Sequence, residues 1–278
     1  MRYFSGFMEN STKLQYQGFL HTEPLWNKEQ FGLTQFEFPK IALTQPNYKP
    51  IPINIRLGHQ MEHVFLNLIK EHTTHTVIVH NKRIKKESRH IGEIDFILQP
   101  KDASHYIHVE LTYKFYIIDP SISEPIHRLM GPNRSDMFFT KMEKIKHKQF
   151  PLLRTTEGLA ILAANEIDPN ILVHETCYKA QLFMPYQEEN VSIRPLNQKC
   201  VVGYWIRFNV FRAICTRENR YYLPYKKEWV HIPHSKVTWM ENYQALLEIN
   251  LRMLKKNSPM LWVQKPNGEI DKLFVVWW

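Results

Sequence analysis

The sequence predicts an α/β protein built around a mixed sheet. Three patterns carry that expectation. Apolar residues Leu57, Met61, Val64, Phe65, Leu68 and Ile69 make one helical stripe between Leu57 and Lys70. Two alternating runs, Ile91–Gln99 and Tyr106–Ile118, flank the turn-like PKDASH and read as a hairpin. A basic helix and further strands follow, and the order helix, strand, hairpin, helix, strand places helices against a mixed sheet.

Taken in order, residues 1–50 read as irregular to helical, because Pro24, Pro39, Pro46 and Pro50 interrupt any long helix. After the stripe, Thr74–Asn81 reads as a short strand and NKRIKKESRH as a basic turn leading into Ile91. A proline-bearing loop, Asp119–Pro132, precedes NRSDMFFTKMEKIKHKQ, a basic helix with Asn133 as its expected N-cap. GLAILAANEI and CYKAQLFMP read as one or two further strands. CVVGYWIRFNVF and RYYLPYKKEWV read as strands, Trp239 to Lys256 as a helix, and LWVQKPNGEIDKLFVVWW as a hairpin turning at Asn267-Gly268. The expected organisation is an N-terminal extension (1–50), a core (51–190) and an α+β C-terminal region packed on it (191–278).

Composition narrows the class. The chain has 278 residues, 44% of them hydrophobic and 13% aromatic, which suits a packed globular fold and not a disordered chain. No apolar run approaches the roughly eighteen residues of a membrane span. The start, MRYFSGFMEN, lacks a basic stretch followed by an apolar one, so a cytoplasmic protein without a membrane partner is expected. Cys177, Cys200 and Cys215 are scattered, form no C-x-x-C pair and read as buried thiols. The net charge of +9, from 36 Lys and Arg against 27 Asp and Glu, favours a polyanionic partner such as DNA or RNA. No pattern specifies an oligomeric state.

Two motifs suggest metal chemistry. HQMEH, His59-Gln60-Met61-Glu62-His63, fits H-x-x-E-H, in which two helical histidines hold zinc and the glutamate acts as a base. On a helical wheel, however, His59 and His63 lie opposite Met61, Phe65 and Leu68, so they are expected to face solvent. The second candidate joins Glu62 on the helix, Asp95 in IGEIDF and Glu110 in HVELTYK. If the two strands pair, Asp95 and Glu110 come together, with Lys114 on the same face as Glu110. Two adjacent carboxylates need a counter-charge. A hard divalent cation, Mg²⁺ or Mn²⁺, supplies one and can activate water for phosphodiester cleavage.

A helix glutamate, a strand aspartate, then a glutamate and lysine on the next strand resemble the signature of the PD-(D/E)XK nuclease superfamily. More narrowly, LGHQMEHVF, IGEIDFIL, ELTYKFY and GPNRSD in this order resemble a bacterial family catalogued as domain of unknown function 1853. The likeness is specific from Leu57 to Gln149 and looser through GYWIRF and YYLPYKKEW. It implies a restriction-endonuclease-like core and a metal-dependent nuclease; joined to the carboxylate set and the basic charge, the expectation is a Mg- or Mn-dependent nuclease acting on DNA or RNA. In that reading Asp95 and Glu110 hold the metal, Glu62 joins directly or through water, and Lys114 assists the attacking water.

One departure from the superfamily pattern matters physically. The usual lysine lies two residues after the glutamate, where this chain has Thr112. Lys114 comes four residues on, its backbone about 13 Å from that of Glu110 in an extended strand. Lys141, near the apolar stripe of the basic helix, either snorkels to solvent or reaches the carboxylates or a phosphate. Lys82, Arg83, Lys85 and Lys86, together with Arg134 and Lys141, are candidate nucleic-acid contacts. Lys144, Lys146 and Lys148 form a further basic cluster, and each cluster also fits a solvated face. Trp205, Trp229, Tyr221 and Tyr222 fit either core packing or stacking on unpaired bases. Two rival functions follow: a catalytically impaired nucleic-acid-binding or assembly protein on the same fold, and a zinc metallopeptidase through HQMEH.

Overall fold

The computed structural model describes residues 2–39, 41, 48–188 and 191–278, with side chains from residue 11 onward. Pro46, one of the expected helix interruptions, lies outside them. The N-terminal stretch forms helix α1 (Arg2–His21) and a small ribbon, β1 (Glu29–Gln30) with β2 (Leu33–Thr34). The ribbon reverses at Phe31 and Gly32, both at positive φ, as a two-residue hairpin turn requires. Helix α2 (Leu57–His72) buries Met61, Val64, Phe65, Leu68 and Ile69, the stripe expected from sequence.

Strand β3 (His75–Lys86) runs straight through the expected basic turn. The reversal falls at Glu87, with φ 54°, and leads into β4 (Arg89–Pro100). β5 (Tyr106–Ile118) has the predicted bounds and pairs antiparallel with β4. A short β6 (Leu129–Met130) precedes α3 (Phe138–Lys144). Asn133 does not cap α3; its side-chain oxygen accepts the Ser258 N–H at 2.7 Å. From α3 the chain passes through a π-helical segment, Ile145–Gln149, and a 3₁₀ turn, Phe150–Arg154.

GLAILAANEI is helical, not extended: α4 spans Thr156–Ala164. Its alanines and leucines are strong helix formers, and Thr155 caps it by accepting the Gly158 N–H at 3.1 Å. β7 (Leu172–Pro185) contains CYKAQLFMP. Only the first part of CVVGYWIRFNVF is a strand, β8 (Val201–Arg207), after which α5 (Phe208–Ile214) begins. β9 (Arg220–Tyr222) stops short of Pro224, which cannot donate to a ladder. α6 (Asn242–Leu254) is shorter than predicted and starts at a Glu241/Gln244 capping box. β10 (Met260–Gln264) and β11 (Ile270–Val276) form the expected hairpin, with Gly268 at φ 88° in its turn.

The protein is therefore mixed α/β, with a large mixed sheet flanked by helices. Its residues group into two compact units. The first comprises Pro24–Tyr113 and Thr140–Lys179, the second Met1–Glu23, Lys114–Phe139 and Ala180–Trp278.

In the first unit the strand order is β3-β4-β5-β7. Phe65 of α2 packs against Phe96 of β4, the rings tilted and their centroids 4.6 Å apart. Val79, Ile84, Ile94 and Ile97 pack with Leu152, Leu153 and Leu162 of the segment leading through α4. In this unit β5 buries successive residues, so both of its faces are covered.

In the second unit β7, β8 and β11 are parallel neighbours, and β11, β10 and β9 continue antiparallel. Phe211 of α5 with Ala245 and Ile249 of α6 closes over Ile206, Leu261, Leu273 and Val275. Trp205, Trp229 and Tyr221 are buried here. Trp205 donates its indole N–H to the Ile118 carbonyl at 2.9 Å, and Trp229 packs against Phe115 and Phe274. These three are core side chains. Among the described residues no helix is long and apolar enough to cross a membrane.

Candidate functional site

The polar face of β5 points into the first unit and not into water. His108 and Glu110 are fully buried and Thr112 nearly so. The regular β4–β5 register runs from Leu98↔Ile107 to Phe96↔Val109. Extended by one residue, it sets Asp95 opposite Glu110. There the Asp95 carboxylate accepts the Leu111 backbone N–H at 2.9 Å. The strand-pairing argument thus brings together the two carboxyls that sequence selected.

Glu62 approaches from α2, where it is held by two neighbours. Its Oε2 accepts from the Asn81 amide at 3.0 Å and lies 3.0 Å from His59 Nδ1. Asn81 reaches it from β3 in a left-handed backbone conformation, φ 46°. Within HQMEH, His59 is exposed and turned toward Glu62, whereas His63 is half-buried beside His80. Among the described residues no group of three or more His, Cys, Asp or Glu side chains is gathered to hold a metal ion. The arrangement is a carboxyl pair with Glu62 beside it.

The electrostatics follow from burial. Desolvation is the largest cause holding the Asp95 carboxyl well above the usual range, and the charges of Glu110 and Glu62 push the same way. The Leu111 N–H and Lys141 oppose the shift. Glu110 is pushed up to about 8 by burial, against the pull of Lys141, Lys144 and the Gln149 hydrogen bond. Its Oε2 accepts from the Gln149 amide. Its Oε1 makes no hydrogen bond among the described residues, although His108 Nε2 lies 3.2 Å away at an unfavourable angle. Burial pushes His108 down to about 3, so that contact is no ion pair at neutral pH. His108 Nδ1 lies 2.9 Å from His174 Nδ1, a hydrogen bond in which one ring donates and the other accepts.

Lys141 acts on both carboxyls. It donates to the Gln149 side-chain oxygen at 3.2 Å, and Gln149 in turn donates to Glu110. An uninterrupted α-helix would put positions 141 and 149 about 80° apart around its axis. The π-helical segment between them underwinds the helix and brings both side chains to the same place. Lys114 belongs to the second unit, where its ammonium pairs with Asp136 at 2.5 Å. Thr112, two residues after Glu110, is buried, and its hydroxyl has no hydrogen-bond partner among the described residues.

Sequence reasoning missed Gln149, Asn81 and His108 as members of this site. Only His108 carried a signal, its place on the polar face two residues before Glu110. Of the candidate nucleic-acid contacts, Lys82, Arg83, Lys85 and Lys86 stand exposed along β3, where Arg83 makes a loose 3.8 Å contact with Glu93. Such residues also protect a sheet edge from unwanted pairing. Arg134, in the second unit, stacks its guanidinium over Trp278 at 3.7 Å.

The fold and site define an α/β protein with two desolvated carboxyls facing each other from adjacent strands. Residues 26–276 match the family described as Domain of unknown function (DUF1853), and the chain belongs to that family. No curated protein and no solved structure matches it.

Proposed function

We propose that the chain is a Mg²⁺- or Mn²⁺-dependent, nuclease-like hydrolase of DNA or RNA, cytoplasmic, with a restriction-endonuclease-like core of the PD-(D/E)XK type. The observation that carries the proposal is the pair Asp95 and Glu110, desolvated together with Glu62 adding to the repulsion. A hard divalent cation fits this set. It prefers carboxylate oxygens, and the orphaned Glu110 Oε1 is such a donor. Asp95 and Glu110 would hold it, with Glu62 joining directly or through water. When bound, such an ion supplies positive charge for a phosphoryl group and makes its water more acidic.

The chain's own residues do the rest. Gln149 holds Glu110 and Lys141 in fixed relation, so the ammonium stays beside the carboxyls. There Lys141 stabilises negative charge developing on a scissile phosphate, and it stands nearer the carboxyls than Lys114, which the sequence suggested as the assistant of the attacking water. Lys82, Arg83, Lys85 and Lys86 attract the nucleic-acid backbone without reading its sequence. The test is cleavage of single- and double-stranded DNA and RNA with Mg²⁺ or Mn²⁺. Asp95→Ala and Glu110→Ala are each expected to abolish it, and cleavage surviving both substitutions would overturn the assignment.

A second reading is favoured by Thr112 and by the engagement of Lys114 with Asp136. On it the chain binds nucleic acid without cutting. Salt-dependent binding by the wild type, with no cleavage and no metal-induced rise in Tm, selects that reading.

A further inference from the structure

The second unit holds a cavity of about 480 Å³ that the carboxylate chemistry does not use. Tyr222, Tyr225, Glu228, His231, His234 and Trp262 line it. Its size falls within the range of small-ligand pockets. Trp262 is fully buried, with its ring 5.2 Å from Tyr222 and 5.3 Å from His234. The indole N–H of Trp262, Nε2 of His231 and Nδ1 of His234 are all buried with no hydrogen-bond partner among the described residues. All three belong to residues that line this one cavity, so its wall carries unspent hydrogen-bonding capacity.

The chemistry of the lining limits the occupant. Burial pushes His231 down to about 3 and lowers His234 as well, so both imidazoles are neutral at neutral pH. A neutral imidazole offers one donor and one acceptor, and an indole offers a donor only. The walls are aromatic and the polar atoms are mixed in character, which suits a flat heterocycle with donors and acceptors on its edge. A bare anion finds no charged donor among the orphaned atoms. For a cationic ligand, the Glu228 carboxylate on the lining is outnumbered by Lys236 beside it and by Lys227 and Lys272, whose charges act on His231.

The mouth is shaped for the same guest. Glu228 accepts the Tyr222 hydroxyl at 2.9 Å and the Tyr225 N–H at 2.7 Å, which fixes the loop. The Tyr225 ring is left 71% exposed, free to lie on a planar face. Lys226 and Lys236 are exposed close by, where an attached phosphate would find them.

We infer that this cavity is a nucleobase-binding pocket, taking the base of a free nucleotide or an unpaired base of a nucleic-acid strand. It deepens the reading of a nucleic-acid partner, but it stands on residues of the second unit and not on the carboxyls.

The test uses the full chain and calorimetric titration with four probes: AMP, UMP, a single-stranded oligonucleotide, and the same strand with one central abasic site. Binding of a mononucleotide identifies a free-nucleotide pocket. Tighter binding of the intact strand than of the abasic one, without mononucleotide binding, identifies a strand base. In either case Tyr225→Ala, at an exposed position, should weaken binding about tenfold or more. His234→Ala should weaken it independently. Equal binding of intact and abasic strands with no mononucleotide binding would overturn the inference. So would indifference to Tyr225→Ala, or saturable binding of choline in competition. Asp95→Ala keeps the two proposals apart: base binding should persist in that variant while cleavage is lost.

Discussion

Glu110→Gln isolates the electrostatic tension of the carboxyl pair. Glu110 titrates near 8 in the folded protein against an ordinary value of 4.5. The folded state therefore holds this proton more tightly than the unfolded chain does. Stability from the group is fully present below pH 4.5 and is lost as pH rises through 8. With about 1.4 kcal/mol per pKa unit, the ionisation penalty is under about 1 kcal/mol at pH 5, about 3 at pH 7 and about 5 at pH 9. Glutamine keeps the shape, and its carbonyl can still accept from Gln149, but it never ionises. The variant should match the wild type at pH 5 and exceed it increasingly at pH 7 and pH 9. The assay is urea denaturation of both proteins at the three pH values in chelator-containing buffer. A stability difference independent of pH, or a variant weaker than wild type at pH 9, would refute the reasoning. With Mn²⁺ the order should reverse, because only the wild type retains the charged ligand.

Three other outcomes are expected. Lys141→Ala should cut cleavage by roughly 10²- to 10³-fold, with Lys114→Ala affecting it much less, since Lys114 is paired with Asp136; kcat and KM measured side by side check this. Lys272, buried in the second unit, donates to Gln181 Oε1, the Trp229 carbonyl and the His231 carbonyl at 2.5–3.0 Å. Lys272→Met strands these acceptors and should destabilise by about 1–3 kcal/mol, read as a lower Tm; a higher Tm would show that burying the charge outweighs its hydrogen bonds. A Cβ on Gly158 would sit 2.1 Å from the Leu152 carbonyl oxygen. Gly158→Ala should therefore destabilise by about 1–3 kcal/mol, and it should also slow cleavage by loosening the segment after Gln149.

Period-two alternation made the β4–β5 hairpin and its carboxyl pair legible, because a strand's side chains have only two directions to take. The α2 stripe was legible for the same kind of reason. The alanine-rich GLAILAANEI was misread because a short apolar run carries no period that separates strand from helix. There the Thr155 cap and the close approach of Gly158 to Leu152 select the helix. NKRIKKESRH looked like a turn through its charge, but exposed lysines on β3 need no turn to stay in water.

Sequence alone therefore determined which acidic residues share a face, that β4 and β5 pair as a hairpin, and where the terminal hairpin reverses. These are local properties, set by backbone periodicity and turn chemistry. Tertiary structure alone decided which lysine lies beside the carboxyls, that a π-helical turn brings Gln149 between Lys141 and Glu110, and that three residues with unpartnered nitrogens line one cavity. Those outcomes depend on where side chains from distant segments end, and on how much water is removed from around them. Neither quantity has a local signature, since a lysine in a sequence looks the same whether its ammonium reaches Asp136 or Gln149.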